Sequence, residues 1–272
     1  MPLPAHPPGV PVAVDSHVHL HDLRDPAALL DGAYAALTGC LGHRPPPALL
    51  ILTEPESRPT FARLREIAAA GRPTADLGCW RIGTTDEPIS LAARHRTGDT
   101  IYLLAGQQIV TAENLEVLSL LALPEIADGL GLAETVLRIR QLGGLPVLPW
   151  GVGKWLGRRG TTVSDFLAGD SAGPLFVGDN GGRPGLWAFV PQFRQARAKN
   201  IRILRGSDPL RCSFRRRSAG SYGNILRCHF DPARPGQSLY DALTAAGTAL
   251  ETFGRHESLW HFLRDQIALR IS

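Results

Sequence analysis

The chain has 272 residues, of which 44% are hydrophobic and 20% charged, with a formal net charge of +4. This length suits one α/β barrel, which commonly needs about 250 residues, and the apolar content is enough to fill its core. No apolar run approaches the roughly 20 residues of a membrane span, and the Pro-rich leader at 1–11 lacks the pattern of a secretory signal. We therefore expect a single domain over residues 1–272 with no membrane segment.

Cysteine and basic-residue usage indicate the cellular setting. The four cysteines are scattered and include no Cys-x-x-Cys pair, which is typical of a cytoplasmic protein. Only two of the 29 basic residues are lysine, Lys154 and Lys199, and the chain has a single Met. This composition indicates a bacterial-type coding bias rather than a basic binding surface. The one dense run, at 215–217, has no interleaved aromatic residues, which argues against a nucleic-acid partner.

Strands and helices are predicted to alternate at the start of the chain. A strand over 12–16 precedes a helix that begins at Pro26, after the possible cap Asp25, and runs to about residue 37. The continuous apolar run at 48–53 predicts a strand buried on both faces, and a helix is predicted over 61–70. Gly and Asp turns then predict a β-rich excursion around 78–123, with strands at 79–82, 89–93, 101–105 and 116–121.

The alternation returns after residue 123. Leu132, Val136 and Ile139 have helical spacing and precede a predicted strand at 145–148. Further strands are predicted at 175–177, 201–204 and 222–228, and helices at 189–199, with Phe189 in the core, and around 259–267. Repeated strand–helix units form parallel sheets with right-handed crossovers. The predicted fold is a distorted TIM-like (β/α) barrel of seven or eight units.

The run Asp15-Ser-His-Val-His19, at the end of the first predicted strand, is the most informative motif. Side chains two residues apart on a strand share a face, so His17 and His19 can bind one cation. The alternative is that both histidines are only polar residues at a strand end. The flanking Asp15 and Asp22 favour a metal site.

Carboxylates that follow other predicted strands would complete this site. Active sites of such barrels lie at the carboxyl ends of the strands, where Glu54, Glu116 and Asp208 occur. Imidazole and carboxylate donors suit zinc, manganese or iron, so we predict one or two divalent ions bound by His17, His19, Glu116, Asp208 and Glu54. The catalytic roles are assigned to Asp208, as proton acceptor, and His19. Alternatively, Asp208 caps a turn and Glu116 faces solvent.

Two basic loops predict binding of a small anionic substrate. Lys154 is surrounded by glycines and followed by Arg158, and glycines allow a ligand to approach the backbone. Lys and Arg suit phosphate or carboxylate groups. The predicted substrate-binding residues are Lys154, Arg158, Asp179, Asn180 and Arg183. A solvated basic loop would have the same composition.

The order of these strand ends resembles the PHP (polymerase and histidinol phosphatase) superfamily. Asp15, His17 and His19 match its opening Asp-x-His-x-His in full, and residues 206–210 (Gly-Ser-Asp-Pro-Leu) stand where Gly-Ser-Asp-Ala-His is usual. Leu52-Thr-Glu-Pro-Glu56 stands in place of Thr-Asp-His-Asp. The resemblance spans residues 12 to 230 and implies a metal-dependent phosphoesterase on a distorted barrel.

The departures from this pattern concern metal ligands. Pro55, Leu148 and Leu210 stand where the family has histidines, and fewer ligands lower the affinity for a cation. The expected function is a metal-dependent hydrolase, most simply a phosphoesterase, that uses a metal-activated water. The alternative is a catalytically degenerate barrel that binds an anionic ligand or a partner protein. Substrate and oligomeric state are left open.

Overall fold

The fold is known from a computed structural model that describes residues 9–20, 26–43, 45–70, 78–151, 153–169, 173–185, 187, 189–209, 218–256 and 258–260. The strands in these ranges are β1 (Val10–Val18), β2 (Ala48–Leu52), β3 (Trp80–Thr84), β4 (Ser90–His95), β5 (Thr100–Val110), β6 (Glu116–Leu120), β7 (Leu145–Pro149), β8 (Phe176–Asn180), β9 (Arg202–Gly206), β10 (Tyr222–Cys228) and β11 (Glu251–Gly254). The helices are α1 (Pro26–Leu41), α2 (Thr60–Ala69), α3 (Leu132–Gln141), α4 (Gly157–Ala168), α5 (Pro191–Ala198) and α6 (Pro235–Thr244). No helix in the described ranges is long and apolar enough to cross a membrane.

One mixed sheet curves into a nearly closed barrel. Its strands are hydrogen-bonded in the order β11-β10-β1-β2-β5-β6-β7-β8-β9, and β3 and β4 form a hairpin beside β5. β1, β2 and β5 are parallel, as are β7, β8 and β9, whereas β6 and β10 run antiparallel to their neighbours. The predicted barrel of seven or eight β/α units is confirmed only as a barrel-shaped α/β sheet. Its parallel order is interrupted by β6, inside the β-rich excursion predicted around 78–123, and by β10. The link from β5 to β6 spans only residues 111–115, too short for the crossover that parallel strands need.

The core fills the barrel and both sides of its wall. Val12, Val14 and Leu49 belong to one buried cluster, on which Leu239 and Leu243 of α6 pack. A second cluster joins α1 and α2 to β2 and β5, and a third joins α3, α4 and α5 to β7, β8 and β9. Because both faces of β2 are covered, all five of its residues are buried, as its continuous apolar run predicts.

The barrel closes where β9 meets β1. The Asp208 N–H donates to the His17 carbonyl at 2.8 Å, and Ser16 Oγ donates to the Arg205 carbonyl at 3.0 Å. Gly206 permits this approach, because a Cβ there would lie 2.9 Å from the His17 Cα and still closer to its backbone nitrogen. The end of β9 is therefore held directly against the His-x-His segment.

Several predicted elements need correction. α4, α6 and β11 were not predicted; α4 begins with Gly157-Arg-Arg-Gly160, whose composition is that of a loop, yet it buries Val163 and Leu167. Two residues of the predicted leader, Val10 and Pro11, pair with β10 as part of β1. Phe189, predicted in the core, is 62% exposed. The arginine run at 215–217, Asp22, Asp25 and most of the closing helix lie outside the described residues.

Replacing Gly206 by Ala should destabilise the fold by about 1–3 kcal/mol, because the added methyl group overlaps the backbone of His17. Urea unfolding followed by circular dichroism measures this change. Gly39→Ala is the matched control: nothing lies within 4 Å of a Cβ at that position in α1, so its stability should stay equal or rise slightly. Equal stability of the two variants would contradict the proposed close approach.

Candidate metal centre

Three side chains direct one ligand atom each toward a common point at the mouth of the barrel. His17 Nε2 and His19 Nε2 lie 3.0 Å apart, and Asp208 Oδ1 lies 3.7 Å from the first and 3.6 Å from the second. Ligands bound to one zinc ion at tetrahedral angles, with bonds of about 2.0 Å, would be separated by about 3.3 Å. The triangle therefore fits a single divalent cation. In the described part of the chain, it is the one group of three or more His, Cys, Asp or Glu residues whose ligand atoms lie close enough together to bind one ion.

The backbone of β1 and β9 positions these ligands. Asp15, buried beneath the site, accepts hydrogen bonds from the N–H groups of Ser207 and Gly220 at 2.8 Å and of His17 at 3.3 Å. Burial raises the pKa of Asp15 to about 6, although these hydrogen bonds oppose the rise. Asp15 thus ties the His-x-His segment to the loop after β9 and points away from the cation position.

Asp208 is held in an uncommon conformation. Its φ of 45° lies in the left-handed region, which Asp tolerates better than most residues. The Asn180 amide donates to Asp208 Oδ2 at 3.0 Å and to the Trp150 carbonyl at 2.9 Å. These bonds turn Oδ1 toward the two imidazoles. Asn180, predicted to bind substrate, here orients a ligand.

Glu54 lies on the far side of His19 from the cation position. Glu54 Oε2 is 3.6 Å from His19 Nδ1, while Oε1 accepts a hydrogen bond from the Leu20 N–H. A carboxylate behind a histidine ligand fixes the orientation of the ring and raises its basicity. The predicted metal ligand Glu54 is thus placed to orient His19 rather than to complete the triangle.

The two histidines have different electrostatic surroundings. Burial lowers the pKa of His17, against the opposing charge of Asp208, so its ring is held neutral as a ligand requires. Burial also acts to lower the pKa of His19, but the hydrogen bond to Glu54 and the charges of Asp208, Glu54 and Glu116 outweigh it and raise the pKa overall.

Glu116 and Lys154 form an ion pair beside the triangle. Lys154 Nζ contacts Glu116 Oε1, and Gln108 Nε2 donates to the same oxygen at 3.2 Å. Glu116 is close enough for its charge to raise the pKa of both histidines, so it faces the site rather than solvent. Glu116 is, however, not part of the ligand triangle.

Asp179 and Arg183 are buried against each other next to the site. Arg183 Nε and Nη2 donate to the two oxygens of Asp179 at 2.7 and 2.9 Å. Tyr222 Oη lies 3.2 Å from Asp179 Oδ2, and His256 Nε2 lies 3.1 Å from the same oxygen. This bidentate, enclosed pair is a structural support in the wall of the barrel. Arg158, in contrast, is exposed in the first turn of α4.

Two members of this network were missed by the sequence analysis. Tyr222 was assigned only as the start of a strand, and His256 follows β11, which was not predicted. No local signal marks either residue, because both gain their role from strands that are distant in sequence. Gln108 lies in β5, and its bond to Glu116 gives it a place in the site.

Comparisons with known proteins identify relatives by structure only. No family model and no curated protein matches the chain. PsfC from Pseudomonas syringae PB-5123 is similar in structure, with a TM-score of 0.58 and 13% identity, over 97% of this chain and 100% of PsfC. The lesion-specific endonuclease PfuEndoQ from Pyrococcus furiosus has a TM-score of 0.54 and 15% identity, over 88% of this chain and 57% of that enzyme. Both likenesses concern the fold.

The argument against a nucleic-acid partner is wrong. A lesion-specific endonuclease, which acts on nucleic acid, shares this fold. A complex of endonuclease Q with a 27-mer duplex substrate that carries an abasic lesion has a TM-score of 0.47 and 12% identity to this chain. The run at 215–217 is a local pattern, whereas a nucleic-acid site can be formed by side chains that are distant in sequence.

The Asp179 network should make stability depend on pH at the acidic end. Burial alone would raise the pKa of Asp179, but hydrogen bonds from His256 and Arg183 and the charge of Arg183 lower it to about 2. Because the folded-state pKa is below the ordinary 3.8, this stabilisation is complete above about pH 4 and is lost as the pH falls toward 2. Asp179→Asn should cost on the order of 2 kcal/mol at pH 7, a difference that shrinks below pH 4.

Urea unfolding of both proteins between pH 7 and pH 3 measures this difference. Asp165→Asn, on the exposed side of α4, is the control and should follow the wild-type curve. A wild-type advantage over Asp179→Asn that stays constant down to pH 3 would contradict this account of the network.

Proposed function

We propose that this protein is a metal-dependent hydrolase of the PHP type that cleaves a phosphoester. The observation that carries the proposal is the triangle of His17 Nε2, His19 Nε2 and Asp208 Oδ1, with edges of 3.0 to 3.7 Å. The resemblance of Asp15, His17 and His19 to the PHP opening motif supports it. So does a fold shared with an endonuclease.

His17, His19 and Asp208 would hold zinc, manganese or iron in this proposal, since imidazole and carboxylate donors suit these ions. Such an ion supplies Lewis acidity toward a phosphoryl oxygen and lowers the pKa of water. Glu54 keeps the His19 ring turned so that Nε2 faces the cation position. Asp208 presents Oδ1 to that position, and its carboxylate accepts the proton of the attacking water.

The charges around the site bear on its substrate. Arg183 is matched by Asp179, so we assign these two residues to positioning, with Asn180, rather than to substrate contact. Lys154 is paired with Glu116, although 35% of its side chain is exposed, so the exposed Arg158 is the predicted basic residue best placed to approach an anionic substrate. Phosphoesters, including the phosphodiesters of nucleic acid, have the charge and the leaving group that such a site can process.

Removing a ligand should abolish metal binding. We expect the purified wild-type chain to bind Mn²⁺ or Zn²⁺, and His17→Ala and Asp208→Ala to bind at least about 100-fold more weakly, because the loss of a direct ligand exceeds the 10–100-fold effect of an outer partner. Isothermal titration calorimetry and elemental analysis measure this. His43→Ala, at an exposed histidine, should bind like the wild type.

An assay of phosphoester hydrolysis distinguishes a hydrolase from a catalytically degenerate barrel. With Mn²⁺ or Zn²⁺ the wild type should hydrolyse p-nitrophenyl phosphate, bis-p-nitrophenyl phosphate or a DNA duplex with an abasic site, and His17→Ala should not. Metal binding without turnover of any of these would contradict the hydrolase and favour the degenerate, ligand-binding alternative.

The Lys154–Glu116 pair limits the site to one ion in this proposal. Glu116 is the next carboxylate to consider as a metal ligand, because its charge acts on both histidines. Its Oε1, however, is already contacted by the Lys154 ammonium and the Gln108 amide. A second cation bound at Glu116 would meet the charge of Lys154 at close range. The ammonium therefore takes the place that a second ion would occupy.

Lys154→Met should raise the number of Mn²⁺ ions bound from one to two per chain, because it removes the competing charge while keeping a similar volume. Inductively coupled plasma mass spectrometry after gel filtration counts the ions. The only other lysine of the chain supplies the control, Lys199→Met, which should still bind one. A count of one in both variants would refute the role of Lys154, and no binding by the wild type would refute the metal site itself.

A further inference from the structure

A cleft of about 670 Å³ lies along β9, the last strand in the sheet order, and its lining includes none of His17, His19 and Asp208. We call it the β9 cleft. Among its lining residues are three arginines, Arg197, Arg202 and Arg205, together with Ile203, Thr248 and Leu250. Its walls come from the end of α5, from β9 and from the link between α6 and β11. No Asp or Glu is among the lining residues that the structure describes.

The positive charge of the β9 cleft is not neutralised within the described part of the protein. None of its three arginines forms an ion pair with a described carboxylate. The Arg205 side chain contacts the Tyr222 hydroxyl, whereas its buried Nε has no hydrogen-bond partner among the described residues. The Arg202 guanidinium packs over the Phe176 ring at 5.3 Å and contacts the Ala245 carbonyl only at 3.5 Å. Arg202 is thus oriented by an aromatic face while most of its N–H groups remain available.

Buried polar groups in proteins are nearly always hydrogen-bonded, so the Nε–H of Arg205 is a donor that a ligand, a water molecule or a residue outside the described ranges would satisfy. Guanidinium groups bind phosphate through two parallel hydrogen bonds, and three of them suit a ligand with several negative charges. The volume is within the range of small-molecule sites, about 300–1,000 Å³. Ile203 and Leu250 add apolar walls, which favour a ligand with an organic part.

We propose that the β9 cleft is a second binding site, for a small organic ligand with two or more phosphate charges, such as a nucleoside diphosphate. The cleft extends along β9 from Arg202 to Arg205, and Asp208 lies three residues after Arg205, about 10 Å along an extended chain. The ligand therefore binds outside the metal centre and requires no metal ligand. One strand connects the two sites.

Calorimetry with the full-length chain in the presence of EDTA tests this site without any contribution from a divalent cation. ADP should bind with a stoichiometry of one, inorganic phosphate more weakly, and adenosine not at all. Arg202→Gln and Arg205→Gln should each weaken ADP binding by about 10-fold or more, because each removes a charged donor pair. Arg138→Gln, at an exposed arginine of α3, is the matched control and should bind like the wild type.

Urea unfolding curves of each variant check that it is folded, and two independent substitutions protect the test if one of them destabilises the chain. The proposal is overturned if the wild type binds no ADP at millimolar concentration, or if Arg138→Gln weakens binding as much as the cleft variants do. It is also overturned if a DNA oligonucleotide binds in EDTA and ADP does not compete, which would assign the arginines to a polynucleotide.

Discussion

The approach of β9 to β1 is the contact on which the candidate metal centre depends. A glycine at 206 lets two backbones meet at a distance that any side chain would prevent. The hydrogen bond from the Asp208 N–H to the His17 carbonyl then sets a carboxylate beside two imidazoles. Barrel closure and assembly of the site are therefore one event, and a change that opens the seam would separate the ligands. The left-handed backbone of Asp208 persists because these contacts hold it.

Charge compensation shapes the surroundings of the site. Asp179 is matched by Arg183, and Glu116 by Lys154, so two charged pairs border the ligand triangle without adding net charge. Breaking one partner of a buried pair costs more than the pair contributes, which makes Asp179 and Arg183 sensitive to substitution even where they touch no ligand. The β9 cleft shows the contrasting arrangement, since its arginines have no described acidic partner. Arg183 therefore forms an ion pair within the barrel wall, whereas we propose that the arginines of the β9 cleft bind an anionic ligand.

Local sequence patterns predicted those parts of the fold that depend on near neighbours. The apolar run of β2, the helical spacing in α3 and the turn-rich segment around 78–123 all form as expected, because burial and turn chemistry act within a few residues. Such patterns did not predict strand direction, because β6 and β10 have ordinary strand sequences. β6 runs antiparallel because its link to β5 is short, and β10 because it pairs with β1 where the sheet closes. α4 was missed because its glycines and arginines mask a helix that tertiary packing stabilises.

The two-residue spacing of His17 and His19 predicted from the sequence alone that they share a face. The structure places their Nε2 atoms 3.0 Å apart, with His19 one residue beyond the end of β1. The sequence also indicated, through Gly206-Ser-Asp208, a carboxylate at another strand end. Only the tertiary structure decided which carboxylates join them. The contact between β9 and β1 brings Asp208 to the histidines. Glu54 lies behind His19, and Glu116 forms an ion pair with Lys154. Distances between groups so far apart in the chain depend on how the barrel closes, and closure is a property of the whole sheet.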